Sequence, residues 1–338
     1  MIYKYNEKPL RIFGAPEFEK TKKIRRLPDE VMEAVPSLSF LGRRCPGARL
    51  CFRTNATSFT LKITLETLNL DRGMALYSAQ SAFVFIGDRQ RSRFAGIAIP
   101  ENYENKYYQR TFSKSAEMED VTVWLPRNEI IADIEVEVPD GTAVEEPTPY
   151  KYAKPILYYG SSITEGGCCC NVSNAYNAII SRHLDVDYYN LGFSGNARGE
   201  LPVADYINSL DLSLLVMDYD HNARTVEELL ETHDRFFQRI REKHPTLPVL
   251  MVTRPSARYG EDERKRREVV KQTYEKAISA GDKNVYFQDG EALFGSEDRE
   301  LCMTDTVHPN DLGFYKMASV LEPIIRGILE RSEKEMDE

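Results

Sequence analysis

No uninterrupted apolar stretch in this sequence approaches the roughly 18 residues that a membrane-spanning helix needs. Its opening segment, MIYKYNEKPLRIFG, also lacks the apolar centre of a secretory signal. A cytoplasmic protein with no membrane partner is therefore expected. Positive charge is in deficit: 44 Lys and Arg stand against 53 Asp and Glu, a formal net charge of −9. Such a chain has no large basic field to hold a phosphate backbone, which argues against a nucleic-acid partner. Cysteine is sparse and badly placed for cross-linking. The six are Cys45, Cys51, Cys168, Cys169, Cys170 and Cys302, and three in succession do not suit an ordinary disulfide framework. Reduced thiols are expected. Spaced C-x-x-C pairs with histidine partners are missing as well, which argues against a zinc cluster. Cys168 to Cys170 are read either as small apolar filler or as lining of a site.

What remains is an ordinary globular composition, long enough at 338 residues to bury two cores. Up to about residue 145 the chain alternates apolar and polar positions in short runs: SFTLKITLETLNL (58–70), SAFVFIGD (81–88), DVTVWLP (120–126) and IIADIEVEV (130–138). Alternation of period two predicts antiparallel strands and hence a sandwich. DEVMEAV (29–35) offers one or two helical turns at most. DGTAVEEPTPYKYAKP (140–155), rich in Pro and charge, is read as a linker. The predicted boundary divides a β-rich accessory domain, 1–148, from a second domain, 149–338.

Beyond the linker the rhythm changes. ILYY (156–159), VDYYNLG (186–192), LSLLVMDY (212–219), LPVLMVT (247–253) and NVYF (284–287) are nearly continuous apolar or aromatic runs, as strands covered on both faces should be. Segments of helical period separate them: NAYNAIISRHL (174–184), TVEELLETHDRFFQRIREKH (225–244), a charged stretch near 261–280, and a closing helix at 311–330. In the second of these, Thr225 and Glu228 have capping-box spacing, and Leu229, Leu230, Phe236, Phe237 and Ile240 form an apolar stripe. This alternation predicts a parallel sheet with helices on both faces, and chemistry at the carboxyl ends of its strands.

Four candidate groups follow those strand ends. The first is Gly160-Ser161-Ser162-Ile163-Thr164-Glu165-Gly166-Gly167, in which Ser162 is a candidate nucleophile; Gly and Ser also cluster in loops for purely conformational reasons. Asn190-Leu191-Gly192-Phe193-Ser194-Gly195-Asn196 comes next, with Gly195 either a backbone N–H donor to substrate or a plain turn residue. Asp218-Tyr219-Asp220-His221-Asn222 follows, with Asn222 either a side-chain donor or part of a turn and cap. Last comes Thr304-Asp305-Thr306-Val307-His308-Pro309-Asn310. An Asp three residues before a His can accept from one ring nitrogen and leave the other free to take a serine proton. Asp218 and His221 share that spacing, so spacing alone does not decide. Position favours Asp305 and His308, which lie wholly in a loop. His183, His233 and His244 fall in helical segments and are read as surface or packing residues.

In their order, these four groups resemble the blocks of the SGNH/GDSL hydrolases, over about residues 155 to 332. GSSITEG maps the family nucleophile to Ser162, NLGFSGN places a backbone oxyanion donor at Gly195, DYDHN gives Asn222, and DTVH gives Asp305 and His308. The usual G-D-S-L acid is Ser161 here, and the usual G-x-N-D is replaced around Asn222. The first change resembles the G-[ST]-S-I-T branch, which includes carbohydrate acetylesterases with a β-sandwich in front; GMALYSAQSAFVFIGD loosely resembles a strand pattern of those sandwiches. The resemblance implies a three-layer flavodoxin-like hydrolase domain preceded by an antiparallel, jelly-roll-like β-sandwich. It further implies a Ser162–His308–Asp305 triad, an oxyanion hole of Ser162, Gly195 and Asn222, and hydrolysis of short acyl esters, chiefly acetyl, on sugars, without metal or organic cofactor. A small-molecule or oligosaccharide ester is the expected partner, and a homo-oligomer is left open. The alternatives are a phospholipid or platelet-activating-factor type acylhydrolase, a non-catalytic carbohydrate-binding protein, and a thiol enzyme using Cys168 or Cys302.

Overall fold

The computed structural model of the chain describes residues 1–69, 71 and 74–337. Leu70, at the end of the first predicted strand, and Gly73, at the start of the GMALYSAQSAFVFIGD segment, lie outside the described residues. The front part consists of two antiparallel sheets. One has four strands in the order Ile2–Lys4, Ile131–Glu137, Ser58–Leu65, Tyr107–Ser113. The other orders Val144–Glu145, Arg49–Thr54, Glu119–Trp124, Ala82–Ile86 and Arg93–Ala98, with Arg11–Phe13 also pairing with Arg49–Thr54.

Strict alternation in Ser58–Leu65 buries Phe59, Leu61, Ile63 and Leu65 in the core between the sheets, as period two requires. Ala82–Ile86 is buried at every position. Val84 and Ile86 enter the sandwich core, whereas Phe83 and Phe85, with Trp124 of the neighbouring strand, join the core of the rear part. The six-stranded sheet is thus covered on both faces, and the front part is packed directly onto the rear one.

The rear part holds five parallel strands, numbered here from its start: β1 (Tyr152–Gly160), β2 (Val186–Gly192), β3 (Leu214–Asp218), β4 (Val249–Val252) and β5 (Val285–Gln288). Their order is β2-β1-β3-β4-β5, the flavodoxin-like arrangement. Helices α1 (Ser162–Glu165), α2 (Tyr176–Leu184), α3 (Leu201–Ile207), α4 (Val226–Lys243), α5 (Glu261–Ser279) and α6 (Asp311–Asp337) connect and cover them. Successive residues of β1 go to opposite faces. Ile156 and Tyr158 pack with α2 and α6, while Leu157 and Tyr159 pack with α3, α4 and α5. Continuous apolar sequence therefore reflects two cores sharing one strand.

Several expectations need correction. The segment 140–155 is not simply a linker: Val144–Glu145 pairs with Arg53 and Thr54, and β1 already begins at Tyr152. Strands Arg49–Thr54, Arg93–Ala98 and Tyr107–Ser113 and helix α3 carry no clear periodicity, the first strand because it is buried on both faces and the other two strands because exposed edge positions dilute the pattern. In α4, Thr225 Oγ1 caps by accepting the Glu228 N–H at 3.1 Å, but the Glu228 carboxylate turns to the Arg224 guanidinium, so the capping box is only half formed. Leu230, counted in the apolar stripe, is 57% exposed.

Candidate active site

Two glycines let helix α1 settle onto the β1 and β2 ends. A side chain at Gly160 would lie 2.0 Å from Thr164 Oγ1 and 2.4 Å from the Asp218 carbonyl; one at Gly192 would lie 2.2 Å from the Glu165 nitrogen. No other residue allows that approach. Ser161 caps α1, its Oγ accepting the Ile163 N–H at 3.1 Å, which places Ser162 as the first helical residue. Its N–H is among those a helix leaves without an intrahelical partner.

The Ser162 hydroxyl lies 2.9 Å from His308 Nε2, and His308 Nδ1 lies 2.9 Å from Asp305 Oδ2. Asp305 Oδ1 also accepts the backbone N–H groups of Val307, at 2.7 Å, and His308, at 2.6 Å. The Asp-x-x-His segment is therefore a closed turn in which the carboxylate both shapes the loop and orients the ring. Burial would raise the Asp305 carboxyl, but these hydrogen bonds outweigh it and hold the group at about 2. Asp305 is anionic at any pH of interest.

All these residues open onto one cleft of about 560 Å³, which Gly195 and Asn222 also line. Gly195 adopts φ +69°, a conformation that favours glycine. Asn222 donates one amide hydrogen to the Phe193 carbonyl at 2.8 Å, which leaves its second hydrogen for another acceptor. The sequence-predicted residues Ser162, Gly195, Asn222, Asp305 and His308 are thus brought to one rim.

The rival pair is not joined. Asp218 is buried beneath α1 and accepts from Thr164 Oγ1 at 2.9 Å and Tyr176 OH at 3.0 Å. Burial, reinforced by the nearby Asp220 charge, raises its carboxyl to about 8. A folded-state value above the unfolded one means that the native state holds this proton more tightly, so stability is lost as pH rises from about 4 to about 8. Asp218→Asn keeps an acceptor for both hydroxyls and removes the titration. Its melting temperature should exceed that of the parent by about 2–6 °C at pH 8, with the gap closing towards pH 4; equal melting curves at pH 8 would refute this.

The family model for GDSL-like lipase/acylhydrolases matches residues 153–326. The chain belongs to the GDSL-like lipase/acylhydrolase family. A second match, to the N-terminus of SGNH-hydrolase-type esterases, covers residues 3–144. This acylhydrolase is therefore an esterase of the SGNH type, in line with the expected class of enzyme. No curated protein matches the chain. Among solved structures, one described as a GDSL-like lipase from Bacteroides ovatus superposes with TM-score 0.87 at 23% identity, covering 98% of each chain. The salicylyl-acyltransferase SsfX3 of a tetracycline biosynthetic pathway gives 0.79 at 21%, covering 97% of this chain and 98% of that one. A family two carbohydrate esterase from Clostridium thermocellum gives 0.66 at 14%, covering 95% and 99%. At these identities the likeness is one of fold, and it extends through both parts of the acylhydrolase.

Other residues of the cleft lie outside the predicted triad and oxyanion hole. His221 accepts from Arg254 Nη1 at 3.0 Å through Nδ1. Because guanidinium only donates, the ring proton sits on Nε2. Burial, with the charges of Arg254 and Arg266, lowers this imidazole to about 3, so it is neutral. Arg254 also donates to the Thr306 carbonyl at 3.0 Å, tying the third strand-end loop to the histidine-bearing one. Cys168 lines the cleft, and burial raises its thiol to about 11, with Asp305 adding to the shift. A thiol held protonated is a poor nucleophile. None of the six cysteines forms a disulfide. The ligand atoms of Cys168, Asp305 and His308 lie within 4.8 Å of one another; a cation there would compete with the Asp305–His308 hydrogen bond. Spacing in sequence could not reveal that cluster, because Cys168 and His308 meet only through the fold.

Proposed function

We propose that this esterase hydrolyses short acyl esters, chiefly acetyl, on carbohydrate alcohols through Ser162, His308 and Asp305. The observation that carries the reading is the unbroken chain of two 2.9 Å contacts from the Ser162 hydroxyl through His308 to Asp305 at the rim of an open cleft. His308 Nε2 takes the Ser162 proton as Oγ attacks the ester carbonyl, and Asp305 stabilises the imidazolium through Nδ1–H. The backbone N–H groups of Ser162 and Gly195 and the free Asn222 amide hydrogen receive the oxyanion. The proton passes to the departing alcohol, after which water, activated by the same imidazole, releases the acid.

The cleft walls favour a small acyl group. Their apolar contribution comes from Met74, Val307, Ala223 and Cys168, while Asp71, His221 and the arginines 127, 224 and 266 supply polar atoms. An extended acyl chain would need a longer apolar wall. No Phe, Tyr or Trp lines the cleft among the described residues, so a sugar would be held mainly by hydrogen bonds. The exposed Gly195 and Asp305 keep the acyl-enzyme open to water, which favours hydrolysis over the acyl transfer named for the salicylyl-acyltransferase neighbour.

A series of p-nitrophenyl esters should give the highest kcat/KM at acetate, and acetylated xylo-oligosaccharides should be deacetylated faster than short-chain phospholipids. Preference for octanoate or longer chains, or for the lipids, would overturn the substrate assignment. Asn222→Ala should lower kcat for p-nitrophenyl acetate about a hundredfold with little change in KM; an unchanged kcat would remove Asn222 from the oxyanion hole.

A further inference from the structure

We infer that the front antiparallel part is a component of the catalytic centre: Glu165, clamped by Arg26, Arg44 and Arg127, is a positioning residue for the loop that presents the oxyanion donors. The inference rests on the catalytic reading above and assigns a role to the three front-part arginines within it.

Glu165 ends α1 and is fully buried. Its Oε1 accepts from Arg44 at 2.9 Å and Arg26 at 3.2 Å, and Arg127 approaches Oε2 at 3.7 Å. Oε2 also accepts the Ser194 N–H at 3.0 Å and the Ser194 hydroxyl. Burial opposes ionisation, but the arginines outweigh it and hold the carboxyl at about 2. Glu165 is thus a fixed anion at the junction, reached from one side by the front part and from the other by the residue just before Gly195.

Gly195 itself is exposed, and nothing lies within 4 Å of where its side chain would start. The carbonyl of the Ser194–Gly195 peptide accepts from the Asn196 amide at 2.7 Å and the Gly195 carbonyl from Arg198 at 3.0 Å, and the link from this peptide to the front part runs through Ser194, which is bonded to Glu165. Arg26 acts on the same loop independently. It donates to the Asn190 carbonyl at 3.2 Å and to that of Gly192, and lies 4.6 Å from the Phe193 ring centre. The Phe193 carbonyl in turn accepts from Asn222. Two of the proposed oxyanion donors therefore sit two contacts from arginines supplied by residues before 130. Burying four charges is a poor way to gain stability alone, whereas fixing donors to a fraction of an ångström is worth much in an oxyanion hole.

Arg44→Met tests this. It preserves most of the buried stem and leaves Glu165 with two arginines, so the carboxylate stays compensated. Arg44 does not line the cleft. The expected result is a kcat lowered about ten- to a hundredfold with KM unchanged, and affinity for a boronic-acid transition-state analogue lowered by the same factor. Ser194→Ala, which removes one bond to Glu165 without touching a charge, should give the same signature at smaller size, and it decides the matter if Arg44→Met does not fold. Variants that keep wild-type kcat and analogue affinity, even with a lower melting temperature, would reduce the cluster to a structural joint and overturn the inference. A wild type with neither turnover nor Ser162 labelling by a fluorophosphonate would instead overturn the catalytic reading and this inference with it.

Discussion

Ser162→Ala is expected to lower kcat for p-nitrophenyl acetate on the order of 10⁵- to 10⁶-fold, the largest loss of any single substitution in this chain. The methyl group cannot attack, and His308 is left with no proton to take. Water bound in the emptied position would still see the oxyanion donors, so a residual rate above that of solution is expected rather than none. Folding should be nearly unaffected. Ser162 is only partly buried, and its hydroxyl bonds to His308 rather than to the frame of the protein, unlike Ser161, whose hydroxyl caps α1. That contrast supplies a control: Ser161→Ala should cost stability, by about 1 kcal/mol for a lost cap, before it costs chemistry. A fluorophosphonate should label the parent at Ser162 and leave Ser162→Ala unmodified. Turnover within tenfold of the parent, or labelling at another residue, would move the nucleophile elsewhere and take Cys168 or Cys302 back into consideration.

How much of this was legible in the sequence follows from which interactions are local. The strands of the parallel sheet announced themselves because each is covered twice, so that β1 shows four apolar residues in a row where a half-exposed strand would alternate. The Asp305–His308 pair was legible because three residues of turn bring its partners together. Order along the chain gave the rest of the site, since each candidate follows a strand and parallel strands all end on one side. Arg49–Thr54 escaped because RLCFRT mixes arginines into a buried strand; Arg49 is 1% exposed and pairs with Asp187, which stands 138 residues later. The same reason hid the Glu165 clamp. Arg26, Arg44 and Arg127 look like surface charges in sequence, and only the fold discloses that they converge on a single carboxylate. Nor could spacing tell Asp218 from Asp305: the difference is that one side chain enters the space beneath α1 and the other stays in a loop at the rim.

The remaining large effect is expected from Asp305→Asn, which should reduce kcat about 10⁴-fold. In the native turn Oδ2 accepts the Nδ1 proton of His308, so the lone pair on Nε2 faces Ser162. An asparagine whose oxygen keeps the two backbone N–H groups of Val307 and His308 offers an amide hydrogen where the second carboxylate oxygen was. That hydrogen selects the opposite tautomer, with the proton on Nε2, and the ring can then no longer accept from serine. The loop should survive, because its backbone bonds need only one oxygen. A loss of similar size in Asp305→Ala, accompanied by a looser loop and a lower melting temperature, would separate the orienting role from the structural one. Because Asp305 stays ionised down to about pH 2, the parent's activity should show no acid limb of carboxylate origin between pH 4 and 6; a limb in that range that vanishes in Asp305→Asn would mean that the carboxyl titrates during turnover and does not serve as a permanent anion.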